Sequence, residues 1–366
     1  MKGVMTLLEK RWFQSMVFVI LFFLIILLIS VTNFIFDPVF KYVGAVAIPF
    51  IGAGILYYLT KPLMQLFERF KINRIISIFL VFIVLLLIGF VIIIYIAPIA
   101  QRQFTNLLGN VPKMVDWAQD VIAYWQSNQT ILPEEVNNAI NDFTDNLQAH
   151  IESVINYIFG FIGQLISFVT ALILIPFFLF FMLKDGEKFV PFITQIFNKK
   201  KADNIRLLMG KIDDTLTSFI QGQLIVSFCV GVLLFIGYLI IDLKYSLTLA
   251  LFAMIMNVIP FIGPFIAVVP ALIVGAFQKP IMLLWVSLIM LIAQQIESNF
   301  ISPNVMGRAL SLHPLTVITV ILAAGSIAGF IGILFAVPLY AVIKTIIVHF
   351  YKTYEASKPD KEDVLI

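Results

Sequence analysis

The sequence predicts an all-α, polytopic integral membrane protein with about six full spans, two broken re-entrant helical hairpins and a small external helical insert. Three observations lead there. Of 366 residues, 61% are hydrophobic and 12% charged, against about 45–50% and about 25% in a soluble globular protein. The apolar residues gather in runs close to the ~20 residues that cross a bilayer. Two further runs are interrupted near their midpoints by proline or glycine, which leaves halves too short to cross.

Phe13–Phe36 opens the chain. It is longer than the ~7–15-residue core of a secretory signal and has no small-residue cleavage site, so it reads as a first span. Val39–Leu59, Ile75–Ile96, Val154–Leu183 and Leu216–Ile241 follow, and Ile281–Ile296 is completed by the polar residues behind it. Val154–Leu183 is too long to stand upright and must tilt, protrude or kink at Pro176. Ser246–Phe277 is broken by Pro260-Phe261-Ile262-Gly263-Pro264, with roughly 14 apolar residues on each side, about 21 Å of helix against a hydrocarbon core of about 30 Å. Leu315–Ile343 is broken by Gly325-Ser326-Ile327-Ala328-Gly329. Irregular backbone at membrane depth survives only where protein buries it or water lines it. Both segments therefore read as re-entrant hairpins, with plain turns between two crossings as the alternative.

Charge sets the orientation. With the N-terminus inside, 19 Lys and Arg lie on the cytoplasmic side and 5 outside; both termini are then cytoplasmic. Residues 1–98 hold three spans, 99–151 the external insert, 152–350 the transport core and 351–366 a short charged tail that reads as disordered. In the insert, Val111, Val115, Ala118, Ile122 and Trp125, then Val136, Ile140, Phe143, Leu147 and Ile151, recur at helical spacing. They mark two amphipathic helices, the second started by Pro133-Glu134-Glu135. These form either a small cap packed on the membrane domain or a subunit contact or gate. In the cytoplasmic segment 184–214, Ile205, Leu208, Met209 and Ile212 make one apolar stripe, which suggests a surface helix at the lipid headgroups.

Enzyme chemistry has no visible seat. No phosphate-binding loop, Gly-x-Ser-x-Gly elbow or His-Glu-x-x-His motif occurs. One cysteine, Cys229, excludes an intrachain disulfide, and His150, His313 and His349 are scattered. No cofactor, metal or nucleic-acid partner is implied. The informative residues lie in the membrane. Glu297 sits within Gln294-Gln295-Ile296-Glu297-Ser298-Asn299, behind a membrane-grade apolar run. An ionisable group at that depth is expensive and marks an ion or substrate path, unless the cluster simply ends a helix in water. Gln294 and Glu297 share one helix face and Gln295 and Asn299 another. Pro260, Gly263 and Pro264 at the first tip, with Gly325 and Gly329 at the second, leave helix ends free to bind a ligand if the tips meet. Gln221 and Gln223 offer amides either to that site or to a neighbouring helix. Arg308 and Lys344 are candidate counter-charges to Glu297, or ordinary cytoplasmic anchors.

These motifs resemble the autoinducer-2 exporter (PerM-like permease) family of bacterial membrane proteins. The matching stretches are Tyr58-Leu59-Thr60-Lys61-Pro62, Phe181-Met182-Leu183-Lys184-Asp185-Gly186, Gly222-Gln223, Ile259-Pro260-Phe261-Ile262-Gly263-Pro264, the long run Gln295-Ile296-Glu297-Ser298-Asn299-Phe300-Ile301-Ser302-Pro303-Asn304-Val305-Met306-Gly307, His313-Pro314 and Gly332-Ile333-Leu334-Phe335-Ala336-Val337-Pro338. The resemblance implies a secondary transporter of the bacterial cytoplasmic membrane. It suggests export of autoinducer-2 for some members and sodium/proton antiport for others. The expectation is an exporter of a small polar molecule coupled to an ion gradient and assembled as a homo-oligomer. A sodium(lithium)/proton antiporter and a membrane scaffold without transport remain the alternatives.

Overall fold

The computed structural model describes residues 11–127, 169–306 and 313–355, and every regular element in them is helical. The order is α1 (Arg11–Val31), α2 (Asn33–Arg69), α3 (Arg74–Val91), a π-helical turn (Ile92–Ile96), α4 (Ala97–Ser127), α5 (Val169–Thr194), α6 (Lys199–Ile240), α7 (Ser246–Met256), α8 (Ile262–Gln278), α9 (Ile281–Ile296), a second π-helical turn (Glu297–Ile301), α10 (Ser302–Met306) and α11 (Pro314–Glu355). Among the described residues, five stretches are long and apolar enough to cross a membrane: Asp37–Arg69, Arg74–Met114, Lys199–Ile240, Ile281–Met306 and Ile331–Glu355. The expected run Val154–Leu183 lies partly outside the described residues, as do Pro133, the second external helix, Arg308 and the tail beyond Glu355.

Continuity is the main difference from the sequence reading. Helix α6 runs unbroken for 42 residues, so the stripe Ile205, Leu208, Met209, Ile212 belongs to its N-terminal half and not to a separate surface helix. No proline interrupts Lys199–Ile240, and propagation costs less than a new helix start. The first external helix is likewise α4, joined end-on to α3 through the π turn. Both π turns stop two residues before a proline, Pro98 and Pro303. A proline has no N–H for the carbonyl four residues back, and the wider turn absorbs that loss.

The helices share three apolar cores. Ala53, Met64, Ile78, Val81, Ile175, Leu179 and Leu183 pack α2, α3 and α5 into one body. Val226, Val230, Leu234, Ala253, Ala271, Val286 and neighbours pack α6 to α9 into a second. Phe219, Ile259, Val317, Ile321, Ala336 and Val337 join α6 and the α7–α8 turn to α11. Helix α1 shows exposed apolar residues such as Phe18, Phe23 and Leu27 on all sides, the surface of a lipid-facing helix.

Both interrupted runs fold back on themselves. Helices α7 and α8 have 11 and 17 residues. Their outer ends are tied by Gln278, which accepts from Lys244 N (3.0 Å) and donates to Asp242 O (2.8 Å). Helix α4 grips this base: Thr248 N donates to Gln103 Oε1 (3.0 Å), Asn110 Nδ2 donates to the Tyr245 hydroxyl (2.8 Å), and Trp117 meets Phe277 edge-on. In α11 the helical geometry fails at Ala328 (φ −128°) and Gly329 (φ 58°, ψ −139°). The two limbs then lie so close that a Cβ on Gly332 would sit 2.0 Å from Ala324 O. The second limb, Ile331–Glu355, has 25 residues and is not the short half that the sequence reading expected. Its length carries it well past the apolar run.

Candidate functional site

The α7–α8 tip is built from Asn257 to Phe261. Ile262 N donates to Pro260 O (2.8 Å), and Phe261 between them has φ 63° and ψ −50°. This is a γ-turn of the rare, strained hand. Pro260 removes one helical donor, and the tight turn brings α8 back at once. The return is so close that a Cβ on Gly263 would lie 2.1 Å from Met256 O. Only glycine fits there, for reasons of space and not of φ.

Gln223 of α6 anchors this tip, donating Nε2 to Asn257 O at 2.6 Å. The Asn257 side chain is 2% exposed and its Nδ2 makes no close hydrogen bond. It is directed at the Glu297 carboxylate as a longer-range donor. Glu297 is half-buried at the start of the second π turn and accepts from Gln294 Nε2 at 3.0 Å. Among the described residues it has no ion-pair partner, and Lys344 stands exposed on α11 without one. Ser227 follows Gln223 by one turn, on the side of α6 that meets α7 through Gly231 and Met254. It too is buried with an unpartnered hydroxyl. Buried polar atoms without partners are rare and costly. Asn257 stands next to the carboxylate, and Ser227 is a further such residue, on α6.

The other expected site residues go elsewhere. Gln295 and Asn299 pair with each other (2.9 Å) on the exposed face of α9, away from Glu297. Gln221 donates to Tyr58 O of α2 at 2.6 Å and does not join Gln223. The two tips do not meet end to end: Ile259 of the first packs on the limbs of α11, while Ser326, Ile327 and Gly329 of the second are exposed. Among the described residues no group of three His, Cys, Asp or Glu side chains is placed to hold a metal. Asn257 and Ser227 were missed by the sequence reading. Asn257 carried a usable signal, as the lone amide in the apolar run Ser246–Ile259.

The short motifs tie helices together, one of them across to α6. Lys61 pairs with Asp213 of α6 (2.9 Å) and stands over the Tyr57 ring. Arg74 donates to Leu183 O (2.8 Å) and Glu187 (2.8 Å), and Gly186 packs on Tyr57. His313 starts α11, its carbonyl accepting from Thr316 and Val317. A model of AI-2E family transporters matches residues 16–352, across all of these elements. The chain belongs to the AI-2E transporter family. Its relatives include YueF of Bacillus subtilis, named as a proposed transport protein, 34% identical over 344 residues that cover 91% of each chain. YrrI of the same organism, named likewise, is 28% identical over 93% of this chain and 98% of its own. The proposed permease PerM of Escherichia coli is 26% identical over 85% and 89%. This AI-2E transporter is thus a multi-pass membrane protein.

Proposed function

We propose that this transporter exports a small polar solute through the α6–α7–α9 site, coupled to an ion gradient across the bacterial cytoplasmic membrane, with both termini in the cytoplasm. An autoinducer-2-like signal is the candidate that the family suggests. The observation that carries this reading is the buried Asn257 amide, directed at the Glu297 carboxylate without a close hydrogen bond, at a strained hairpin tip. Helices α7 and α8 rise about 16 Å and about 25 Å, short of a ~30 Å core, and their outer ends meet on one side. Those lengths support re-entry, here taken to be from the outside. Solute docking on Asn257 and Ser227 leaves Glu297 to take up and release a proton as access alternates. The exposed Gln295–Asn299 pair, polar on a helix that faces lipid in the single chain, supports contact with another copy in a homo-oligomer.

A second reading, sodium(lithium)/proton antiport, is supported by the single carboxylate without a basic partner. Glu297→Gln in proteoliposomes tests both readings. Gradient-driven flux of autoinducer-2 should fall at least tenfold while thermal unfolding shifts little. The same variant, with sodium or lithium added and a pH-sensitive dye inside, reads the antiport. Unchanged flux in both assays removes Glu297 from the mechanism.

A further inference from the structure

Helix α6 carries one more buried polar atom than the site above uses. The Tyr238 side chain is 0% exposed, and its hydroxyl has no hydrogen-bond partner. It sits in the apolar core that α6 to α9 share. Phenylalanine would fill that space without stripping a donor and acceptor of water.

Its position on the helix is informative. Eleven residues separate Tyr238 from Ser227, whose hydroxyl is also buried and unpartnered. At 100° and 1.5 Å per residue, their directions differ by about 20° and their levels by about 16 Å. Gly231 lies between them, within about 40° of both. This is the face that α7 covers: a Cβ on Gly231 would meet the Cβ and Cε of Met254, each at 2.8 Å. The contacts Gly231–Met254 and Gln223–Asn257 make α6 and α7 antiparallel. Counting from the first contact, Ser227 is level with the hairpin tip and Tyr238 with the first turn of α7, at the hairpin base. Leu243 N, in the turn between the helices, donates to Tyr238 O (2.9 Å).

The seam between the two hydroxyls is closed by small and flexible groups. Ala250 and Ala253 of α7 are buried in the same core, and the bulk over Gly231 comes from Met254. Methionine is unbranched and has three rotatable bonds, so its far end can swing away without moving backbone. Among the residues described as buried in α6, α7 and α8, none is charged. A bare charge would be costly in such a seam, whereas an uncharged guest with hydroxyl or carbonyl groups would find a partner at each end. We propose that Tyr238 is a second station for the solute, at the base end of the α6–α7 seam. Its hydroxyl hydrogen-bonds an uncharged hydroxyl- or carbonyl-bearing guest that has passed Met254 from Ser227. This station rests on the transport reading of the α6–α7–α9 site and narrows its solute to neutral molecules. First binding stays with Asn257 and Ser227; Tyr238 serves the transfer that follows.

Tyr238→Phe removes one oxygen and keeps the ring. In proteoliposomes, gradient-driven flux of autoinducer-2 through this variant should fall at least fivefold. Equilibrium binding of autoinducer-2 in detergent should stay within about twofold of wild type, and the unfolding temperature should not drop. Asn257→Leu, by contrast, should lose binding and flux together. Normal flux in Tyr238→Phe overturns the station, and so does flux lost together with binding or with stability. A second readout needs no solute. In a Cys229→Ser background, Ser227→Cys and Tyr238→Cys are treated in nanodiscs with hydroxyethyl methanethiosulfonate, a small neutral polar reagent. Both should react at least tenfold faster than Val286→Cys of α9, a position that is 0% exposed. Either cysteine reacting no faster than that control also overturns the station. Wild type that carries no autoinducer-2 would sink the choice of solute in the transport reading, and the labelling rates alone then decide the station.

Discussion

The two hairpins begin from the same kind of sequence and end in different environments. The tip at Asn257–Phe261 is held by Gln223, packed on α11, strained at Phe261 and lined by an unpartnered amide. The tip at Ala328–Gly329 bends through one glycine with open space around it, beside Ile327, which is 86% exposed. A break in an apolar run shows only that the helix stops. Burial of polar atoms around the break distinguishes the two among the described residues, and the first tip has it.

Alanine at each glycine gives the widest contrast. Gly263→Ala drives a Cβ into the Met256 carbonyl and should cost about 3 kcal/mol or more, because backbone cannot step aside as a side chain can. Gly329→Ala meets no neighbour and suffers only its backbone angle, about 1–3 kcal/mol. Thermal unfolding in detergent ranks the two, and equal losses would erase the distinction between the tips. Asn257→Leu comes next. Flux should drop at least tenfold while stability shifts by no more than about 1 kcal/mol, since the donor that is lost makes no close hydrogen bond. A variant that transports normally would place the guest elsewhere.

Gln223→Leu and Gln221→Leu each strip a backbone carbonyl of its donor, at about 1–3 kcal/mol. Only the first should also slow flux, because Gln221 holds Tyr58 and not the tip. The smallest effect is at the contact between α3 and α5. The hydrogen bond from Arg74 holds the Glu187 carboxyl below its ordinary range. That pair stabilises the fold fully above about pH 4.5, the ordinary glutamate range, and the contribution fades as pH falls through the lowered value. Glu187 is well exposed, so no more than about 1 kcal/mol is at stake. Unfolding midpoints of wild type and Glu187→Gln should converge on acidification.

Much of this was legible in the chain. Apolar length marked Val39–Leu59, Ile75–Ile96 and Ile281–Ile296, which fall inside the longer stretches Asp37–Arg69, Arg74–Met114 and Ile281–Met306, and both breaks follow from their prolines and glycines. The split of Gln294/Glu297 from Gln295/Asn299 follows from helical spacing. The same geometry should have separated Gln221 from Gln223, since residues two apart point about 160° away from each other around a helix. The join of the charged segment Lys199–Asp214 to a span was not legible, because composition changes there while the backbone need not. The seam between α6 and α7 was hidden for a different reason. It depends on which face of a long helix a distant turn reaches, and Ser227 is an ordinary serine until Gly231 lets Met254 approach.

The π turn at Ile92–Ile96 acts as slack in a drive shaft. The rod from Arg74 to Ser127 has 54 residues, and a residue removed from its regular parts would swing everything downstream by about 100°. Gln103 and Asn110 would then lose Thr248 and Tyr245. Removing one residue inside Ile92–Ile96 should instead let the turn relax to ordinary helix with the outer arm still aimed at the hairpin, making that stretch the one place on the rod where length can change without redirecting its far end.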